Sequence, residues 1–305
     1  MKLHRIKCSP LSRAYDLTVS PSYIVGCTGK RAVILDRQYN LLQTIEGLDY
    51  VYKAHLSPDE KQLLLISNSN KFYVTDLASG TTRKVLIRVP FNHNLDGEGC
   101  WSHDGRHIYI PVMHTETMIH TLRRYRADEL TVDAEYLHGE YVIWRIQQLK
   151  KTGAYFMTGL IRDGMRYFFI CLKDDAFSVY PVEGNANLFP LNSHICEERG
   201  EITLPGHKFH GRYTLEGKLI ERIDNPFASG ESAYKDFITK YALSQCGRYI
   251  FMSTRAGFYL LDALTKQLLS FIPEEFGVQN FEQLEPDVIA LATWRGVKLY
   301  RMEDE

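Results

Sequence analysis

The chain has 305 residues, 45% apolar and 24% charged, the composition of a globular protein with a substantial core rather than a disordered one. Its 36 Lys and Arg nearly balance 37 Asp and Glu, so no global field gathers nucleic acid or anionic membrane, and electrostatic recognition has to be local. The length suggests two domains unless a repeat explains it.

The opening "MKLHRIKCSPLSRAYDL" carries positive charge but lacks the apolar run of a signal peptide or membrane span, and no later segment has one. Six cysteines (Cys8, Cys27, Cys100, Cys171, Cys196 and Cys246) are scattered without a CxxC pair or disulfide-like spacing. They read as reduced thiols packed as small hydrophobes in a cytoplasmic protein.

In chain order, "KLHRIK" at 2–7 is a strand with no sequence neighbour to pair with. "TVSPSYIVG" at 18–26 forms a first hairpin, continued by "RAVILDRQYN" at 31–40 and the more polar "LLQTIEG" at 41–47. The plan returns in "HLSPDEKQLLLI" at 55–66, with "KFYVTDLASG" and "TTRKVLIRV" after it, and in "CWSHDGRHIYI" at 100–110. Degenerate versions follow as "LKKTGAYFMTG" at 149–159 and "LNSHICEERG" at 191–200. "YALSQCGRYIFM" at 241–252 restores the full form, and "LEPDVIALA" at 284–292 is the last. In the full form an apolar strand end meets a Ser that bonds its own turn, and Gly105 or Gly247 supplies positive φ where the chain reverses. Two stretches also fit helices: 114–130, with Met118, Leu122 and Tyr125 at helical spacing, and 231–243. Strands are favoured for most of both because the repeat requires them there.

Taking Ser20, Ser57, Ser102, Lys150, Asn192, Ser244 and Glu285 as anchors, the intervals are 37, 45, 48, 42, 52 and 41 residues, the spacing of four-stranded propeller blades. Seven anchors imply seven blades, or six if the unit around Asn192 is not one. Second strands such as "QLLLIS" and "RYIFMS" are apolar on both faces, as strands between two neighbouring sheets must be, whereas the fourth strands are polar. The last unit has only three strands, near 278–284, 287–293 and 296–302; residues 2–7 supply the fourth and cover its edge.

In these repeats the chain resembles the WD-repeat and YVTN-type β-propeller superfamily. Asp36, Asp76 and Asp262 end third strands where WD repeats carry Trp-Asp, but here they follow Leu or Thr, and the Gly-His signature is missing. The resemblance implies an all-β, seven-bladed β-propeller of four-stranded antiparallel blades, a single domain over 1–305. It also implies that the loops entering each blade share one face, around a central channel, with the turns between second and third strands.

Those turns place Lys30, Arg31, Lys71, Arg162, Arg255 and Arg295 on that face, with Trp294 beside the last. Arginine forks and a Trp surface suit an acidic peptide, another protein or an anionic small molecule; solvated turn charges that aid solubility are the plainer alternative. The connection 224–236 offers Phe227 and Tyr234 as a partner-binding loop or as packed aromatics. His93, Asp96, Glu98, His114 and Glu116, around the third unit, form the alternative metal or acid–base cluster. His207 and His210 in "GHKFHG" lie three apart on a strand, so they point to opposite faces and share no metal.

No phosphate-binding loop, dinucleotide fingerprint, GxSxG or HExxH occurs, so no cofactor is expected. The expected role is a non-enzymatic scaffold or adaptor with neither nucleic acid nor membrane as partner. The alternatives are a lactonase-like or metal-assisted hydrolase using the third unit and an oligomeric structural component.

Overall fold

A computed structural model of the chain describes residues 1–8, 14–67, 70–87, 93–94, 98–114, 116–161, 166–184, 193–206, 209–224 and 238–303. Among the described residues there are 28 strands and no helix, so the helical alternatives over 114–130 and 238–243 are set aside. Accordingly, no helix of the described residues is long and apolar enough to cross a membrane.

β1 (Lys2–Cys8) opens the chain, and β2 (Asp16–Val19), β3 (Tyr23–Cys27), β4 (Ala32–Asp36) and β5 (Leu41–Ile45) form the first antiparallel sheet. β6 (Val51–Leu56), β7 (Gln62–Ser67), β8 (Lys71–Asp76) and β9 (Thr82–Leu86) form the second. In the third unit β10 (His93–Asn94) and β11 (Cys100–Trp101) both pair with β12 (His107–His114), followed by β13 (Ile119–Arg126) and β14 (Val132–Gln148). β14 runs on to pair with β15 (Tyr155–Ile161), and β16 (Arg166–Lys173) and β17 (Ala176–Pro181) complete a fourth unit fused to the third in one eight-stranded sheet. The fifth sheet is β18 (His194–Cys196), β19 (Glu201–Leu204), β20 (Phe209–Thr214) and β21 (Leu219–Asp224). The sixth is β22 (Ile238–Leu243), β23 (Tyr249–Thr254), β24 (Gly257–Asp262) and β25 (Leu268–Pro273). β26 (Val278–Glu285), β27 (Val288–Thr293) and β28 (Gly296–Glu303) form the last, and β1 adds itself antiparallel to β28, supplying the fourth strand.

Local chemistry explains the hairpins. Ser57 Oγ accepts the Gln62 N–H at 2.9 Å and donates to Asp59 at 2.7 Å. Ser102 accepts from His107 at 2.8 Å and Ser244 from Tyr249 at 3.0 Å, while Gly105 and Gly247 sit at φ 69° and 71°. The aspartates ending the third strands cap the next turn: Asp36 accepts from Gln38 and Asn40, both at 2.8 Å, and Asp262 from Leu264 at 2.9 Å and Thr265 at 2.8 Å. Two anchors shift. Leu149, not Lys150, holds the Ser position, donating its N–H to Ala154 O at 2.7 Å as Ser57 does to Gln62 O at 2.8 Å. In the fifth sheet the turn falls between Cys196 and Glu201, and Asn192 lies outside the described residues.

Second strands are buried along nearly their whole length, as in β7, β23 and β27. Apolar clusters accordingly fill the space between each sheet and the next. Val25, Ile34, Leu63 and Leu65 join the first and second sheets, and Leu64, Ile66, Ile108 and Ile110 join the second and third units. Tyr109, Ile143 and Met157 join the third and fourth; Phe156, Phe169, Ile202 and Tyr213 join the fourth and fifth. Tyr241 and Met252 receive Ile223 from the fifth sheet, and Phe251, Phe258, Phe281 and Leu291 join the sixth and last. A seventh cluster packs Leu17, Ile24 and Val33 of the first sheet on Val288, Ala290 and Leu299 of the last. Arg37 reinforces it by donating to Leu284 O at 2.7 Å.

Deleting residues 1–8 exposes the β28 edge and the surface that Met1 and Leu3 cover. Thermal melts and light scattering should show a melting temperature lower by about 5 to 10 °C and concentration-dependent association. Ile6→Ala, at a side chain 44% exposed, should change neither.

Candidate functional site

First strands of neighbouring units lie against one another along one edge of their sheets, here called the inner edge, and their ladders carry a recurrent irregularity. β6 is bulged between Val51 and Lys53, β14 between Ile143 and Arg145, β22 between Ile238 and Lys240, and β26 between Val278 and Asn280. A bulge adds one residue and re-aims the side chain after it. Each time, that side chain is polar. In three of them it stands four residues before the turn position, Lys53 before Ser57, Arg145 before Leu149 and Lys240 before Ser244, while Asn280 stands five before Glu285. Asp16 and Glu98 stand equally four before Ser20 and Ser102.

These residues touch from sheet to sheet. Lys53 Nζ lies 3.5 Å from Asp16 and 3.6 Å from Glu98. Asn280 donates to Asp16 at 2.6 Å, and Lys240 donates to Asn280 at 2.8 Å and to the Phe281 carbonyl and Glu282 at 2.7 Å each. Arg145 donates to Ser193 Oγ at 3.4 Å and to Gln147 at 3.1 Å. Alternating charge thus lines the inner edge.

Enclosure sets the protonation states. Burial raises Glu98, and only partly do Lys53 and Arg145 oppose it. Burial works against the Lys53 ammonium, but Asp16 and Glu98 outweigh it and raise its pKa. Lys240 moves down, because burial exceeds the support of Glu282. Burial brings His55 to about 4 despite Asp16, helped by Lys53 and Arg145; burial, Lys240, Arg145 and Arg199 bring His194 to about 3. Both imidazoles are neutral at physiological pH.

The loop face is assembled by contacts between turns and incoming loops. Gly29 and Val51 exchange backbone hydrogen bonds at 2.9 and 2.8 Å, and Ala14 donates to Thr293 O at 2.8 Å. Gly277, at φ 74°, lies where a Cβ would come within 2.8 Å of the Arg255 Cα, so that loop needs its glycine. Lys30, Arg31, Arg255 and Arg295 are exposed there. Arg31 lies 3.9 Å from Glu46, Arg295 pairs with Glu275, and Lys71, only 12% exposed, is committed to Asp49. Trp294 is half-buried, edge-on to Tyr15 at 5.4 Å and 6.4 Å from Phe276.

Arg162, Phe227, Tyr234, Asp96 and the His93 side chain lie outside the described residues. Of the third-unit cluster, the His93 backbone is in register opposite His114, Glu116 is exposed, and Glu98 is buried at the inner edge on Lys53. No group of three or more His, Cys, Asp or Glu able to hold a metal occurs among the described residues. His210 is buried against the Tyr241 ring at 4.5 Å rather than standing on the surface. These inner-edge charges were missed from sequence, although a charged residue four before each Ser anchor is a usable signal. No family model matches the chain, and neither does any curated protein.

Replacing Lys53 by Met leaves two carboxylates at the inner edge without their cation. Urea unfolding at pH 7 should show a loss of about 2 to 3 kcal/mol, growing with pH, because a carboxyl whose folded pKa is raised further loses stability as pH climbs through that value.

The histidines titrate with the opposite sign. Unfolded, they protonate near 6.5, whereas His55 and His194 in the fold resist to about 4 and 3. Below 6.5 the unfolded chain therefore binds more protons, and the histidine contribution, complete above 6.5, is lost as pH falls. The unfolding free energy of wild type relative to His55→Gln should drop by up to about 1.4 kcal/mol per pH unit between those values.

Proposed function

We propose that the chain is one closed seven-bladed β-propeller working as a rigid, non-enzymatic recognition module in the cytoplasm. Its partner is an acidic segment of another protein, taken on the loop face around Arg255, Trp294 and Arg295. The cluster between the first and last sheets supports ring closure, since it buries the two faces that a linear stack leaves in water. One observation carries the binding reading: turns and incoming loops of neighbouring sheets are tied together, by Gly29 to Val51 and Ala14 to Thr293, into a preformed surface. Preformed loops lose little freedom on binding. Lys30 and Arg255 have no carboxylate within 4.0 Å among the described residues, and the Arg31–Glu46 and Arg295–Glu275 pairs are exposed enough to exchange partners.

The test is affinity capture from native extract at low and moderate salt, comparing wild type with Arg255→Glu plus Arg295→Glu. A stoichiometric protein retained by wild type, weakened by salt and lost from the variant is expected. Identical protein sets with both baits would overturn the reading.

A further inference from the structure

A pocket of about 450 Å³ opens where the first strands and hairpin turns of the fifth and sixth sheets meet β26 of the last. Its charged walls are Glu198, Arg199, Lys240 and Glu282, so the two signs balance, and beside them stand His194 and the buried rings of Phe251 and Phe281. A cavity of that volume is about 10 Å across and suits a metabolite rather than a folded partner. One small ligand there faces all of these side chains.

Arg199 and Glu282 are each tied to the protein at one end only. Arg199 donates its Nε–H to Glu201 at 3.2 Å, a carboxylate that also lies 3.3 Å from Arg212 Nε, and its terminal nitrogens make no hydrogen bond among the described residues. Glu282 takes the Lys240 ammonium on Oε1 at 2.7 Å, and its Oε2 accepts nothing among the described residues. His194, neutral at physiological pH, makes no side-chain hydrogen bond among them either. Lys240 already uses three oxygens, of Asn280, Phe281 and Glu282, so it positions Glu282 rather than a ligand. The walls are fixed in advance, since the Gln245 N–H donates to Gln283 at 2.8 Å and joins the sixth hairpin turn to the last sheet. Preformed free ends of opposite sign favour a ligand carrying both charges, because a lone anion or cation would meet the uncompensated group of its own sign.

We propose that this pocket binds a small zwitterion of the amino-acid class, its carboxylate on the Arg199 fork beside His194, its ammonium on Glu282 Oε2 and its carbon chain on Phe251 and Phe281. The site is independent of the loop face and involves no covalent step.

The full chain is titrated with L-leucine and 6-aminohexanoate, an α- and an ω-amino acid, each beside its deaminated and its decarboxylated analogue, reading melting temperature and calorimetric affinity. At least one amino acid should bind saturably and at least about tenfold more tightly than either of its analogues, and the preference between the two gives the spacing of the charges. Arg199→Gln should weaken that amino acid at least about tenfold and leave the decarboxylated analogue unchanged, while Arg255→Glu plus Arg295→Glu alters neither. Glu282→Gln keeps an oxygen for Lys240 and should weaken the amino acid but not the deaminated analogue; if that variant does not fold, the wild-type comparison with the deaminated analogue reads the same ammonium contact. The site is refuted if neither amino acid binds saturably, if a one-charge analogue binds as tightly as its parent, or if Arg199→Gln binds as wild type does.

Discussion

Every sheet in this chain is apolar on both sides, and the rest of the structure follows from having to cover both. β7, β23 and β27 show the demand most plainly, with almost no residue reaching solvent. A strand of this kind is stable only between two other sheets. Outer strands escape it: β9 and β5 are largely exposed. The arrangement drives first strands together at the inner edge and fourth strands outward, so a residue's place in its unit fixes its environment before its chemistry matters.

At the inner edge that constraint becomes electrostatic. Lys53, Glu98 and Lys240 cannot each keep a full water shell, so they are tolerated because they meet one another. Pairs of this type contribute little net stability, since desolvation offsets most of the attraction. Their consequence is specificity: Lys240, with three oxygen partners drawn from the last sheet, fits only one register of β22 against β26. The bulges serve the same end. Without the bulge between Ile238 and Lys240, period two would turn the ammonium toward the apolar neighbours that Ile238 meets.

The architecture was legible wherever local chemistry repeats. Ser57, Ser102 and Ser244 announce hairpins because the hydroxyl bonds the turn backbone, and the orphan strand at residues 2–7 follows from counting partners. Legibility failed where the unit deviates. Leu149 performs the backbone task of the Ser without its hydroxyl, so Lys150 drew the eye. β14 continues from one unit into the next without a break in the strand to mark the boundary. The inner-edge charges were obscured for another reason: Lys53 and Lys240 look like ordinary solvent-facing positions of an alternating strand, and the bulges break the alternation that would have exposed them. The basic turn residues are visible in the sequence, but their acidic neighbours Glu46, Asp49 and Glu275 come from the loops that connect one unit to the next. Only the fold brings those together.

The two charged regions therefore differ in kind. On the loop face, Arg295 and Glu275 are 66% and 61% exposed, so their attraction is weak, screened by salt and readily given up to another partner. At the inner edge, Asp16 and Glu98 are 5% and 6% exposed, and a charge there is felt from sheet to sheet with little screening. A partner on the outer face has to compete with small, exchangeable ion pairs. Lys298 and Glu274 stand between these regimes, 13% and 7% exposed, and pin the loop bearing Glu275 to β28. The exchangeable pair is thus mounted on a fixed one, which lets the face change partners without changing shape.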